Sequence, residues 1–334
     1  MTEHSAFPPT RIGLGTATQG NLRQAVTDAQ AEAVFQAAWD GGVRYFDTAP
    51  WYGRGLSEER LGSFLRDKSG WTLSSKVGRL LSADAPPHPS QEGAGFEVQR
   101  DLNVVYDYSY DGVMRSHEQS LKRLGLEHLD FLFIHDPDVV GVGVPELMNG
   151  AYRALAELKA QGVIRGFGAG MNEWQTPLEL LRAGDFDTFL LAGRYTLLEQ
   201  ESLPFMNECA RRGASVVIGG VFNSGLLANP RPGANYNYSA VPEDVLKRAM
   251  RLQAVCGDFG VPLSTAALGF ALAHPAVASV LVADHKPERT LQNLQAVGVD
   301  IPQALWEVLR AEGLIEAGAP VPETKSVPVA RSHE

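Results

Sequence analysis

Cysteine is nearly missing: the 334 residues contain two, Cys209 and Cys256, far apart and each within a helix-like run. Such a pair neither brackets a metal nor builds a disulfide framework, so a reducing compartment is expected. Clusters of lysine and arginine are also lacking. With 29 basic against 39 acidic side chains the chain carries a formal charge of −10. That balance disfavours nucleic acid and anionic membranes as partners, because both reward positive patches. No apolar run approaches a bilayer span, and residues 1–9 hold no apolar segment of signal-peptide length. The expectation is a cytoplasmic globular protein, monomer or homodimer, that acts on a small molecule, with no nucleic acid, membrane or metal as partner.

What is present is an alternation. Short runs rich in β-branched and aromatic residues, at 11–15, 43–47, 72–76, 129–135, 162–169, 187–191, 214–218 and 278–282, are separated by longer amphipathic stretches. This is the pattern of repeated strand–helix units, and eight strands is the count that closes a barrel. The predicted fold class is α/β, a single (β/α)8 TIM barrel with long loops on its C-terminal face. Helix ends are expected at Asp28 before 29–39, at Ser57, at Asp111 before a segment stopped by Gly125, and at Pro145 before 146–160. Two irregular stretches, 83–110 and 229–241, the latter with Tyr236 and Tyr238, are long enough to serve as binding loops. The tail 317–334, with scattered prolines and charges, is expected to be loosely ordered.

Three of the strand-like runs deliver one titratable side chain each at their C-terminal end: Asp47, Lys76 and His135. Tyr52 follows Asp47 after four intervening residues. Singly, each has a bland reading: a turn cap, a surface aromatic, a solvated lysine, a capping histidine. Together they form a proton-handling set. A free tyrosine is a poor base because its pKa is about 10. An adjacent ammonium favours the phenolate, and a carboxylate bonded to that ammonium fixes where the charge sits. Tyr52 is then the acid/base, Lys76 its tuner, Asp47 the lysine's anchor and His135 the group that holds a substrate oxygen.

The chain resembles the aldo-keto reductases from end to end. The residues carrying the resemblance are Gly13-Leu14-Gly15-Thr16, Phe46-Asp47-Thr48-Ala49-Pro50-Trp51-Tyr52-Gly53 with Ser57-Glu58, Ser75-Lys76-Val77-Gly78 and Ile134-His135. The family is one (β/α)8 barrel, here expected over 1–334, that uses an Asp, Tyr, Lys and His tetrad to move hydride to or from a nicotinamide. A narrower likeness rests on Lys76-Val77-Gly78-Arg79, His135-Asp136-Pro137-Asp138, Gly170-Met171-Asn172 and Val221-Phe222-Asn223-Ser224-Gly225. These are similar to the NAD-dependent aldose 1-dehydrogenases of D-threo-aldoses and L-fucose, and to pyridoxal 4-dehydrogenase.

The resemblance implies cofactor contacts from Gly15, Thr16, Asp47, Asn172, Gly219, Phe222, Asn223, Gly225, Leu227, Ala283, Asp284, Arg289 and Asn293. Two positions depart from the family: Gly219 stands where a tyrosine usually stacks under the nicotinamide, and Ala192 where a glutamine meets its carboxamide. Where a lysine and serine usually meet the phosphate of NADP, this chain has Ala283 and Asp284. A carboxylate repels phosphate and accepts from ribose hydroxyls, so NAD is the expected cofactor, with Arg289 keeping NADP open. Trp51, Gln19, His135, Tyr108 and Trp174 are the candidate substrate-lining residues. Alternative readings are an NADPH-dependent carbonyl reductase and a non-catalytic cofactor-binding regulatory barrel.

Overall fold

Strands buried on both faces read as continuous apolar runs rather than as alternating ones, and eight such runs here pair in parallel. The computed structural model describes residues 10–88, 95–237 and 239–323. In chain order its strands are β1 (Ile12–Gly15), β2 (Tyr45–Asp47), β3 (Thr72–Val77), β4 (Arg79–Ser82), β5 (Asn103–Tyr106), β6 (Phe131–His135), β7 (Gly166–Met171), β8 (Thr188–Ala192), β9 (Ser215–Gly219), β10 (Asn235–Tyr236), β11 (Ser239–Ala240) and β12 (Val277–Val282). Eight of them close a barrel in the order β1-β12-β9-β8-β7-β6-β3-β2. The fold is a (β/α)8 TIM barrel.

Register decides which side chains share the interior. Asp47 lies opposite Ser74, Lys76 opposite Phe133, and His135 opposite Gly170. Because strand side chains alternate with period two, Tyr45 and Asp47, Ser74 and Lys76, and Phe133 and His135 all point into the barrel. Tyr45, Phe133, Leu190, Val217 and Leu281 fill the lower interior. Each such side chain contributes about 1.5–3 kcal/mol by leaving water. Above this plug the layer becomes polar. Gly13 is required by that packing, since a Cβ there would stand 2.5 Å from the Tyr45 ring. At Gly15 an added Cβ would meet only an ordinary contact at 3.6 Å.

Several local expectations change. Thr27, not Asp28, caps helix Asp28–Asp40 through a capping box with Gln30, and Ser109, not Asp111, caps Tyr110–Leu124. In both cases the hydroxyl of the residue directly before the helix accepts from the third amide of the helix. Ser57 lies inside helix Leu56–Leu65 rather than at its start, and its hydroxyl donates to the Thr16 carbonyl oxygen. The helix expected over 146–160 is two, Val144–Asn149 and Ala151–Ala160. A Cβ at Gly150 would come within 2.4 Å of the Tyr108 carbonyl, so the break accommodates a close backbone approach. The strand expected from 162 begins at Gly166, because Gly162 adopts a φ of 72° that turns the chain out of the preceding helix.

The long stretch 83–110 contributes β5, which pairs antiparallel with β4 and extends the end of β3 into a hairpin. The stretch 229–241 forms the small hairpin β10–β11. Its Tyr236 hydroxyl donates to Glu199 at 2.5 Å instead of walling a cavity, and Tyr238 lies outside the described residues. Of the tail, Ala319 is buried and its carbonyl accepts from Arg310, while residues 324–334 lie outside the described residues.

Candidate active site

Strands β2, β3 and β6 are consecutive in the barrel, so the three titratable side chains at their ends converge. The Lys76 ammonium donates to the Asp47 carboxylate at 2.7 Å and to the Thr48 carbonyl at 2.8 Å. Both side chains of that ion pair are 2% exposed. Ser74 donates to the other carboxylate oxygen at 2.7 Å, and Tyr45 bonds Ser74 in turn at 3.0 Å. Gly170 lies beside the lysine stem, where an added Cβ would meet Phe133 Cβ at 3.3 Å and Lys76 Cε only at an ordinary 3.7 Å. Tyr52, carried on the turn closed by its amide to Ala49, places its ring centroid 4.6 Å from the ammonium. The His135 ring stands edge-on to Tyr52 with centroids 6.2 Å apart.

The electrostatics follow from burial. Dehydration pushes the Asp47 carboxyl up against the pull of Lys76 and Ser74. Dehydration works against the Lys76 ammonium, but Asp47 and the bonded Tyr52 outweigh it and hold that group above its ordinary value. A lysine that keeps its proton in a dry interior is a fixed positive charge beside a phenol. His135 goes the other way: burial first, then the positive charges of Arg79 and Lys76, drive it well below its ordinary value. It is a neutral imidazole at neutral pH, and its buried Nδ1 has no partner among the described residues.

These groups open onto a cavity of about 400 Å³ lined by Trp51, Tyr52, Lys76, His135, Met171 and Asn172 among others. That is the size of a small-ligand pocket. Of the candidate lining residues, Trp51 and His135 are present. Gln19 is not among them: it is fully buried and its amide donates to the Asp284 carbonyl at 2.9 Å. Tyr108 sits behind the cavity, its hydroxyl donating to the His135 carbonyl at 2.6 Å. Trp174 stands at the start of helix Gln175–Ala183, away from the lining.

Residues missed from sequence are Phe96, Arg79, Asp136 and Tyr106. Phe96 stacks on Tyr52 at 6.1 Å and meets Trp51 edge-on at 6.0 Å. Residues 21–23 hold it there through a β-bridge between Leu22 and Phe96. No sequence periodicity marks such a bridge between two loops.

The model of the Aldo/keto reductase family matches residues 11–311. The chain belongs to the aldo/keto reductase family. It is therefore an oxidoreductase acting on CH–OH or carbonyl groups with a nicotinamide cofactor. It is 43% identical to a pyridoxal 4-dehydrogenase of Microbacterium luteolum over 92% of this chain and 94% of that one. It is 39% identical to a D-threo-aldose 1-dehydrogenase of Pseudomonas sp over 91% of this chain and 94% of the relative. Among solved structures an aldo-keto reductase from Bacillus halodurans superposes with a TM-score of 0.73 at 23% identity, covering 94% of each chain, a likeness of fold.

In this aldo/keto reductase the residues expected to meet the dinucleotide are spread around the rim: Gly15 and Thr16 beside Asp47 at the ends of β1 and β2, the others at the ends of β7, β9 and β12. From β7 to β9 the cavity wall includes the small residues Gly170 and Ala192, with Gly219 against Ala192, beside Met171 and Leu190. The turn after β9 holds Gly220, Asn223, Ser224 and Gly225 at positive φ, and a Cβ on Gly225 would meet nothing within 4 Å. Within this turn the Asn223 and Gly225 amides donate to the Gly220 and Phe222 carbonyls. Asp284 faces Arg289 at 3.5 Å, and Arg289 is largely exposed. The small residues on this wall leave room for a flat ring.

Asn172 lines the cavity, and Asn293 is half-buried on helix Pro287–Ala296. Three other candidates have internal duties. The Thr16 hydroxyl donates to the Asp47 carbonyl, the Asn223 amide donates to Gly193 and Glu199, and Leu227 is fully buried in the core. Phe222 packs half-buried against that core.

Proposed function

We propose that this chain oxidises C1 of a cyclic aldose of the L-fucose or D-threo type to the aldonolactone, with NAD as acceptor, in the cytoplasm. The observation that carries the reading is the buried Lys76–Asp47 pair at 2.7 Å, with Tyr52 against its ammonium at the edge of the cavity. A bound nicotinamide supplies a hydride acceptor. The chain's own groups supply the proton path. Tyr52 takes the proton of the anomeric hydroxyl, Lys76 stabilises the phenolate that accepts it, and Asp47 prevents the lysine from swinging away. Neutral His135 orients the reacting oxygen by hydrogen bond. Fixing reactants in such geometry removes much of a barrier before any bond changes. Gly15, Asp47, Asn172, Gly219, Phe222 and Gly225 are assigned to the nicotinamide and phosphate side, with Thr16, Asn223 and Leu227 supporting it from beneath through their internal contacts. Ala283, Asp284, Arg289 and Asn293 are assigned to the adenosine end. The Asp284 carboxylate disfavours a ribose phosphate and supports NAD over NADP.

Oxidation of pyridoxal is the second reading, favoured by the relative at 43% identity and by the aromatic walls Trp51, Phe96 and Tyr106. The two chemistries converge, because pyridoxal also closes into a cyclic hemiacetal whose oxidation gives a lactone. NADH formation measured with NAD and NADP in parallel, over L-fucose, D-arabinose, L-galactose, L-xylose and pyridoxal, separates them. Turnover of a sugar with NAD is the expected result. Turnover of pyridoxal alone selects the second reading. Silence with every hemiacetal, alongside NADPH-dependent aldehyde reduction, contradicts both.

A further inference from the structure

We propose that Arg79 and Asp136 form a diol-recognition pair in this cavity, the carboxylate accepting from one ring hydroxyl and the guanidinium donating to its neighbour. The assignment rests on the hemiacetal reading above and names what recognises the rest of the ring. Arg79 opens β4, three residues beyond Lys76, after Gly78 has turned the chain at a φ of 96°. Its side chain is 7% exposed and bonds Asp136 at 2.8 Å. Both residues line the cavity that holds Tyr52 and His135.

Three features say that the pair has work beyond holding the hairpin. A buried ion pair is a poor way to stabilise a fold, because dehydrating the charges offsets their attraction. Asp136 is held at φ 38°, a left-handed conformation unusual outside glycine, directly after His135. Arg79 Nε is buried and has no partner among the described residues. Asp136 also accepts from the Asn172 amide and stands 3.4 Å from His135 Nε2, and Arg79 also bonds Tyr108, yet the five donors of a guanidinium and the roughly four acceptor sites of a carboxylate are not exhausted by these contacts. Of the remaining walls, Phe96, Leu190 and Met171 offer a sugar only apolar contact and Asn172, Tyr106 and Trp51 carry neutral polar groups, so Arg79 and Asp136 are the charged groups of the lining outside the Asp47, Tyr52, Lys76 and His135 set. Hydroxyl selectivity therefore has its charged anchor here.

The test compares two substrates of the full-length enzyme with NAD: the aldopyranose it oxidises best, and hydroxytetrahydropyran, a six-membered cyclic hemiacetal with no other hydroxyl. Wild type is expected to favour the sugar in kcat/KM. Asp136→Asn, which tolerates the left-handed backbone, and Arg79→Met are each expected to shrink that preference by roughly 10–100-fold, the value of a hydrogen bond to a charged group. Equal losses on both substrates overturn the assignment, because the pair then acts through His135. Wild-type oxidation of hydroxytetrahydropyran but of no sugar also overturns it and leaves the hemiacetal reading standing. A wild type that oxidises neither removes that reading and the assignment together.

Discussion

The two sides of the barrel rim are built in opposite ways. On β2, β3 and β6 the ends carry charged or polar side chains of fixed position, tied by bonds of 2.7 and 2.8 Å in a dry interior. On β8 and β9 the ends carry Ala192 and Gly219, followed by a turn whose backbone is left-handed at four of six positions from Gly220 to Gly225. One side offers functional groups, and the other offers space. The contrast teaches a division of labour: proton transfer needs a particular pKa at a particular atom, whereas seating a flat ring needs room.

Substitutions on the two sides should therefore fail differently. The largest effect is expected for Lys76→Met. It leaves Asp47 buried without its partner, so stability should fall by about 3–5 kcal/mol and NADH formation should be lost; denaturant unfolding and initial rates check both. A stable, active variant would break the contrast. On the other side, Gly219→Leu fills the space beside Ala192. It should weaken NAD binding, by about tenfold in KM if roughly 1.4 kcal/mol of contact is forfeited, without shifting the pH profile. A moved pH profile would mean that the two sides are not separate. Asp284→Ser removes the carboxylate and puts a hydroxyl, which can donate to a phosphate, in its place. The NADP-to-NAD preference should rise several-fold, and an unchanged ratio would detach Asp284 from cofactor choice.

An effect on stability alone lies away from the rim. His274 is buried and its pKa falls to about 4. The unfolded chain protonates this residue near 6.5, so as pH drops the unfolded state binds the proton first. Stability is then lost between pH 6.5 and about 4, by on the order of 3 kcal/mol, and none is lost above that window. Buried His135 and His117 act in the same direction, while the raised carboxyls of Asp47 and Asp136 partly offset them. His274→Gln should flatten the acid limb of a denaturant-midpoint profile; an unaltered slope would contradict the assignment.

The same contrast explains what was readable beforehand. Asp47, Lys76 and His135 were legible because each ends a short apolar run, and barrel geometry turns that pattern into a shared location. Strand positions followed from the runs themselves, apart from the one whose start moved from 162 to 166. Phe96 was not legible: it reaches Tyr52 only through a bridge to Leu22, seventy-four positions away along the chain. Gln19 and Tyr108 read as lining residues by type, yet their polar atoms are consumed by the carbonyls of Asp284 and His135. Long-range backbone acceptors of that kind leave no local trace. The break at Gly150 was hidden for the same reason, since its cause is the Tyr108 carbonyl on another segment.

The most direct measurement on the central claim is Tyr52→Phe, assayed for NADH formation with the preferred hemiacetal while NAD binding is followed separately by titration. Loss of about 10²–10⁴ in kcat with NAD affinity retained is the predicted result. A rate within a few-fold of wild type would contradict the claim that Tyr52, tuned by Lys76, moves the proton.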